Sequence, residues 1–321
     1  MSTECTVVAY HYVRDLSCSR YPGINGLAVD EFQYQLDYLT DEYTFVTGES
    51  VIECATADKK LPDNAALLTF DDGFADHYET VYPILKRRDI PGCFFPPAKA
   101  IVDQVVLDVH KIHHILAAAP NSDAIRSSIF ELLEVYRQQY DLRLPDEYYD
   151  EFAQPGRFDP PEVIFIKRLL QHGLPEVPRT KIVNELFDEF VDVSEETLSN
   201  ELYMTPNQLR VMSAGGMYIG SHGYEHHWLG ELSPDEAARD VRKSLRFLES
   251  IDVPTDEWIM CYPYGSYDDN TISVLRDLGC SAAVTTESRV ADIEKDNVFT
   301  LPRLDTNDLP QTPNQSEQCS I

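Results

Sequence analysis

Short apolar runs recur along this chain at residues 6–13, 65–70, 92–96, 217–221, 258–262, 281–286 and 298–301. Most are continuous rather than alternating, so each reads as a strand covered on both faces, the habit of a parallel sheet. Helical signals lie between them. Ser233-Pro234-Asp235-Glu236 is a capping box with proline at the first helical position. Ala237, Ala238, Val241, Leu245, Leu248 and Ile251 then follow at helical spacing. Residues 268–278 read as a helix stopped by Gly279, and Thr205-Pro206-Asn207-Gln208 opens another. Strand–helix alternation over such a length predicts a parallel α/β barrel or open sheet.

Residues 101–200 break the alternation. "DAIRSSIFELLEVYRQQY" and "RTKIVNELFDEFV" are helical, and the short "EVIFI" is the only strand signal. The expected organisation is a sheet domain from 1–100 and 201–305, a helical insertion at 101–200, and a loose polar tail at 306–321. The insertion reads as a lid over the sheet domain or as a homodimerisation element.

With 321 residues, 43% of them hydrophobic, the chain can bury an ample core. Its net charge of −29 argues against nucleic acid or an anionic membrane surface as partner. No apolar stretch approaches the roughly 18 residues of a transmembrane helix. The N-terminus "MSTECTVVAYHYV" lacks the basic and apolar regions of a signal peptide. Seven scattered cysteines, with no CxxC pair, suit reduced thiols and predict a cytoplasmic protein.

Three strand ends carry chemistry. The run at 65–70 stops at Asp71-Asp72-Gly73, where two adjacent carboxylates repel each other. They read as the solvated cap of a following helix or as a cation-binding and proton-accepting pair. The strand at 217–221 is followed by His222 and His226, whose spacing in one helical turn projects two imidazoles together, as a divalent ion requires. The same residues, with Glu225, spell HxxEH, an inverted zincin pattern; Gly223 directly after a strand suits its long helix poorly. The third is Tyr262-Pro263-Tyr264-Gly265, a loop able to donate a backbone N–H to an oxyanion.

Together, Thr69-Phe70-Asp71-Asp72-Gly73, Ser221-His222 with His226, and Tyr262-Pro263-Tyr264-Gly265 resemble the polysaccharide deacetylase family, carbohydrate esterase family four, of NodB-homology type. Tyr10-His11 and the "GCFFPP" strand extend the resemblance to about 220 residues, outside the insertion. The resemblance implies a distorted seven-stranded parallel (β/α) barrel that hydrolyses N-acetyl groups on sugars with one divalent metal ion, zinc foremost. By position, Asp71 would be the general base, Asp72, His222 and His226 the metal ligands, and the Tyr264 N–H an oxyanion donor.

Two family features are missing. The arginine that opens the third motif is replaced by Cys261, and no histidine follows His227, so the late Leu-x-His motif lacks its general acid. Arg303, at the end of the last strand, is the expected substitute partner of Asp71. His11 is the preferred general acid; the alternative is the insertion cluster of His110, Lys111, His113 and His114. Tyr262, His110, Lys111 and His113 are also the candidate substrate-binding set. The expected activity is removal of an N-acyl group, acetyl foremost, from an amino sugar carried on a nucleotide, a lipid or a growing glycan. The alternatives are hydrolysis of a formyl or ureide amide, and a non-catalytic glycan-binding relative.

Overall fold

The structure, a computed structural model, describes residues 3–57, 59–156 and 159–312. Parallel strands dominate its sheet. β1 (Glu4–Tyr10), β2 (Ala65–Asp71), β3 (Cys93–Phe95) and β4 (Tyr218–Ile219) follow one another in space, each parallel to the next. β5 (Trp258–Cys261) pairs in parallel with β6 (Cys280–Val284), and β7 (Leu304–Asp305) returns beside β1, Val8 opposite Leu304. Every residue of β2 is buried, which is why its sequence shows no alternation.

The parallel α/β sheet is therefore present, but among the described residues continuous ladders do not trace a closed seven-stranded barrel. Single parallel bridges join Ser221 to Met260 and Val284 to Leu301. Residues on one face of the strands (Val7, Leu67, Phe95, Ile259, Ala282 and Leu301) share one core cluster. The last strand is not where the apolar run at 298–301 suggested. Pro302 has no N–H to continue a ladder, so Leu301 makes one bridge and regular pairing resumes only at β7.

The helices start where their caps predict. Asp268 accepts the Thr271 N–H at 2.7 Å and Glu236 accepts the Ser233 N–H at 3.0 Å. The helix after β2 opens with a π turn, His77–Val81, before Tyr82–Arg88. The expected loose tail begins with order: Thr306–Asp308 is a short 3₁₀ turn whose Thr306 carbonyl accepts the Gln35 amide at 2.8 Å, and Leu309 is buried. Residues 313–321 lie outside the described residues.

The chain divides into two compact units, one of Leu16–Asn25 and Val106–Ser199, the other of the remaining described residues. In the helical unit, Ile125, Ile129 and Leu133 form the buried stripe of Ser122–Tyr140, and Ile182, Val183, Leu186 and Phe187 that of Glu176–Phe190. "EVIFI" is helix, not strand: Pro160-Pro161 sets the start of Pro161–Arg168, and Phe165 and Ile166 are its buried residues. Leu16–Asn25 belongs to this unit through distant contacts. The Tyr21 hydroxyl donates to Asp192 at 2.8 Å and its ring meets His114 edge-on.

Candidate active site

β2 carries Asp71 as its last residue, opposite Phe95, and the Asp72 N–H donates to the Phe95 carbonyl at 3.1 Å. The backbone then turns left-handed, with φ of 74° at Asp72 and 65° at Gly73. A Cβ on Gly73 would meet Pro96 Cβ at 2.8 Å, so only glycine fits here. This turn sends the two carboxylates to different partners.

Asp71 faces Arg303. The guanidinium donates through Nη1 to Oδ1 at 2.9 Å and through Nη2 to Oδ2 at 2.7 Å, and both side chains are 2% exposed. Arg303 also donates to Thr69 Oγ1 at 3.0 Å and, through Nε, to the Thr285 carbonyl at 2.8 Å. Burial alone would raise the Asp71 carboxyl, but the Arg303 charge and hydrogen bonds override it and hold it at about 2. The same pairing raises the Arg303 guanidinium against the opposing effect of burial. His11, just past β1 with its side chain 47% exposed, places Nε2 3.7 Å from Asp71 Oδ2. Close by lies His77, which no sequence motif marks. It is fully buried, with Nε2 2.8 Å from the His11 carbonyl, and burial lowers its pKa to about 4. Its spacing carried no signal, because its partner lies 66 residues away.

Asp72 faces the histidines. Its Oδ1 lies 3.5 Å from His222 Nε2 and 3.4 Å from His226 Nε2, and one ligand atom from each of the three fits within 4.8 Å of the others. His222 Nδ1 is 2.7 Å from the Cys261 carbonyl, which can only accept, so Nδ1 carries a proton and the neutral imidazole has its lone pair on Nε2, the nitrogen that faces Asp72. A buried carboxylate and two imidazoles at this spacing fit a divalent cation.

The imidazoles do not converge through a helical turn, as their spacing suggested. Residues 222–226 form a loop with positive φ at Gly223 (71°) and His226 (60°). The Asp240 carboxylate accepts the Tyr224 and Glu225 N–H groups at 2.8 and 2.9 Å, and the Ala98 and Lys99 N–H groups donate to the Gly223 and Tyr224 carbonyls. Glu225 pairs with Lys99 and Lys243, so the HxxEH reading, which needs it on a long helix as a base, fails. Tyr264 is another bulky residue at positive φ (58°). Such conformations cost about 1–3 kcal/mol each and cluster at functional sites.

The residues expected to bind substrate are divided between the two units. Tyr262 is buried, its hydroxyl donating to the Phe299 carbonyl at 3.0 Å. His110 and Lys111 are buried in the helical unit, where Lys111 pairs with Glu195 at 2.9 Å and Asn184 at 2.8 Å. His113 lies on the same helix, Asp108–Ala118, its ring 5.8 Å from that of His110.

YxkH of Bacillus subtilis (strain 168) is 30% identical to this chain over 96 residues; the match spans 30% of this chain and 32% of the relative's own length. Among solved structures, the Streptococcus pyogenes deacetylase PplD in complex with acetate is similar with a TM-score of 0.60, 18% identity and 100% of both chains covered. IcaB from Ammonifex degensii is similar with a TM-score of 0.55 and 20% identity, over 98% of this chain and 94% of that one. At these identities the likeness is one of fold. The family model described as polysaccharide deacetylase matches residues 58–122 and 186–283, just over half of the chain. Those segments carry Asp71, Asp72, His222, His226 and Tyr264, whereas His11 and Arg303 lie outside them. Sequence match, fold and converging side chains agree: the chain belongs to the polysaccharide deacetylase family, whose members are hydrolases of amide C–N bonds.

Proposed function

We propose that this chain is a metal-dependent N-deacetylase acting on an acetylated amino sugar within a glycan or its precursor. The observation that carries the reading is the division of labour between adjacent carboxylates: Asp72 turned to two imidazoles, Asp71 to a guanidinium. Asp72, His222 and His226 would hold the cation, zinc by donor type. When bound, the ion supplies Lewis-acid polarisation of the acyl carbonyl and acidifies water.

The remaining work falls to the chain's own groups. Arg303 keeps Asp71 ionised and fixes its plane, so one carboxylate stays available to accept a proton from water. The Tyr264 N–H stabilises the developing oxyanion. His11, close to Asp71 and half-exposed, returns the proton to the leaving amine. Five of the six cysteines among the described residues are buried and none of the six is in a disulfide, which supports a reducing, cytoplasmic setting and a nucleotide- or lipid-linked sugar as substrate. The shared core cluster supports a barrel as the underlying architecture.

The test is acetate release from a panel of N-acetylated sugars, with metal content measured in parallel. Asp71→Asn is expected to retain metal and lose turnover by about 10²–10⁴-fold, and Asp72→Ala to lose the metal. Near-normal turnover by Asp71→Asn would sink the assignment.

A further inference from the structure

We propose that Trp228 is a positioning residue for the metal site: with Tyr264 it braces the His226 imidazole, and its indole is consequently a built-in reporter of metal occupancy. The inference rests on the ligand set proposed above.

An imidazole rotates softly about its second side-chain torsion, so something must aim its nitrogen. For His222 the Cys261 carbonyl does this. For His226 the structure supplies a column of rings. The His226 ring is wedged between His222, 4.8 Å away at 73°, and Tyr264, 4.8 Å away at 70°. Trp228 lies flat on Tyr264, centroids 4.5 Å apart and planes only 8° from parallel. Offset or edge contacts of this kind contribute about 0.5–1.5 kcal/mol each beyond area burial. Tyr264 itself sits at positive φ, where a bulky residue is strained, and Trp228 packs flat against its ring.

Trp228 is itself held. Leu229 is buried in the cluster with Trp258, Met260 and Tyr262, and its carbonyl accepts from Thr271 Oγ1 at 3.2 Å. The Gly230 N–H donates to Ser266 Oγ at 3.2 Å, and a Cβ on Gly230 would meet the Tyr267 backbone at 2.8 Å. The segment after His226 is thus seated on the loop that carries Tyr264. Whatever turns the indole turns Tyr264, and Tyr264 bears on the ligand.

The experiment uses the full chain, Zn²⁺ affinity by competition with a chromophoric chelator, and tryptophan fluorescence during Co²⁺ titration. Trp228→Ala is expected to weaken Zn²⁺ binding about 10–100-fold, the range typical of residues that orient metal ligands. Trp228→Phe, which keeps a flat ring on Tyr264, is expected to restore most of the affinity. Co²⁺ should quench the wild-type emission, and most of that quench should vanish in Trp228→Phe, which retains Trp258. Circular dichroism verifies that each variant is folded. Unchanged Zn²⁺ affinity in a folded Trp228→Ala overturns the brace, and an undiminished quench in Trp228→Phe overturns the reporter role. Asp72→Ala separates the two layers: if it still binds metal, the ligand set itself is wrong, whereas loss of metal there with an unaffected Trp228→Ala discards only the brace.

Discussion

Two buried residues set the chemistry at the level of single side chains. Arg303 and Asp71 are fully desolvated, so removing one leaves the other uncompensated. Arg303→Ala is expected to lower stability by about 3–5 kcal/mol and to abolish acetate release; Arg303→Lys should recover stability better than activity, because an ammonium cannot reproduce the two-pronged contact. Urea denaturation and turnover measure the two effects. The Asp71 carboxyl is lowered from 3.8 to about 2 on folding, so its contribution is complete above pH 3.8 and disappears as the pH falls through 2. His77 acts in another window. Its pKa falls from 6.5 to about 4, so the unfolded chain binds the extra proton between those values and stability declines as pH drops across them. His77→Gln should flatten the melting temperature against pH over that interval; an unaltered slope would show that another group carries it. Arg303 was legible in the sequence because it follows the last apolar run where a partner for Asp71 was missing. His77 was not, since a buried histidine and a surface one look alike until the opposing carbonyl is known.

The next scale is the loop that joins His222 to His226. It has no internal regularity, and its shape comes from Asp240 on the helix Pro234–Ser250. Burial raises the Asp240 pKa despite the two N–H groups it accepts, so its carboxylate carries a desolvation cost that those bonds offset. Asp240→Ala should cost about 2–3 kcal/mol and loosen Zn²⁺ binding, whereas Asp240→Asn, able to accept but not through two oxygens, should fall between. Chelator competition and thermal melts check both; full metal affinity in Asp240→Ala would deny the loop its anchor. The helix itself was readable from its capping box, and the convergence of His222 and His226 from their place after a strand. The loop's path was not, because helical spacing and a glycine-broken turn can bring the same pair of rings together. "EVIFI" failed for a related reason: a short apolar run has no period, and the neighbouring prolines decide.

At the scale of the whole molecule, the net charge of −29 is a standing repulsion within a compact structure. Raising NaCl from low levels to about 0.5 M shortens the Debye length and should raise the melting temperature; a fall would mean that attractive surface pairs dominate. The parallel α/β character was legible because buried strands write continuous apolar runs. The membership of Leu16–Asn25 in the helical unit was not, since it depends on contacts such as Tyr21 with Asp192, 171 residues away.

The pairing of β7 with β1 also has a consequence in time. Asp71 and Arg303 are 232 positions apart, so a ribosome releases the carboxylate long before it makes the guanidinium. A nascent chain therefore carries its acid uncompensated while the intervening segment is made, and the pocket can mature only once Arg303 has emerged.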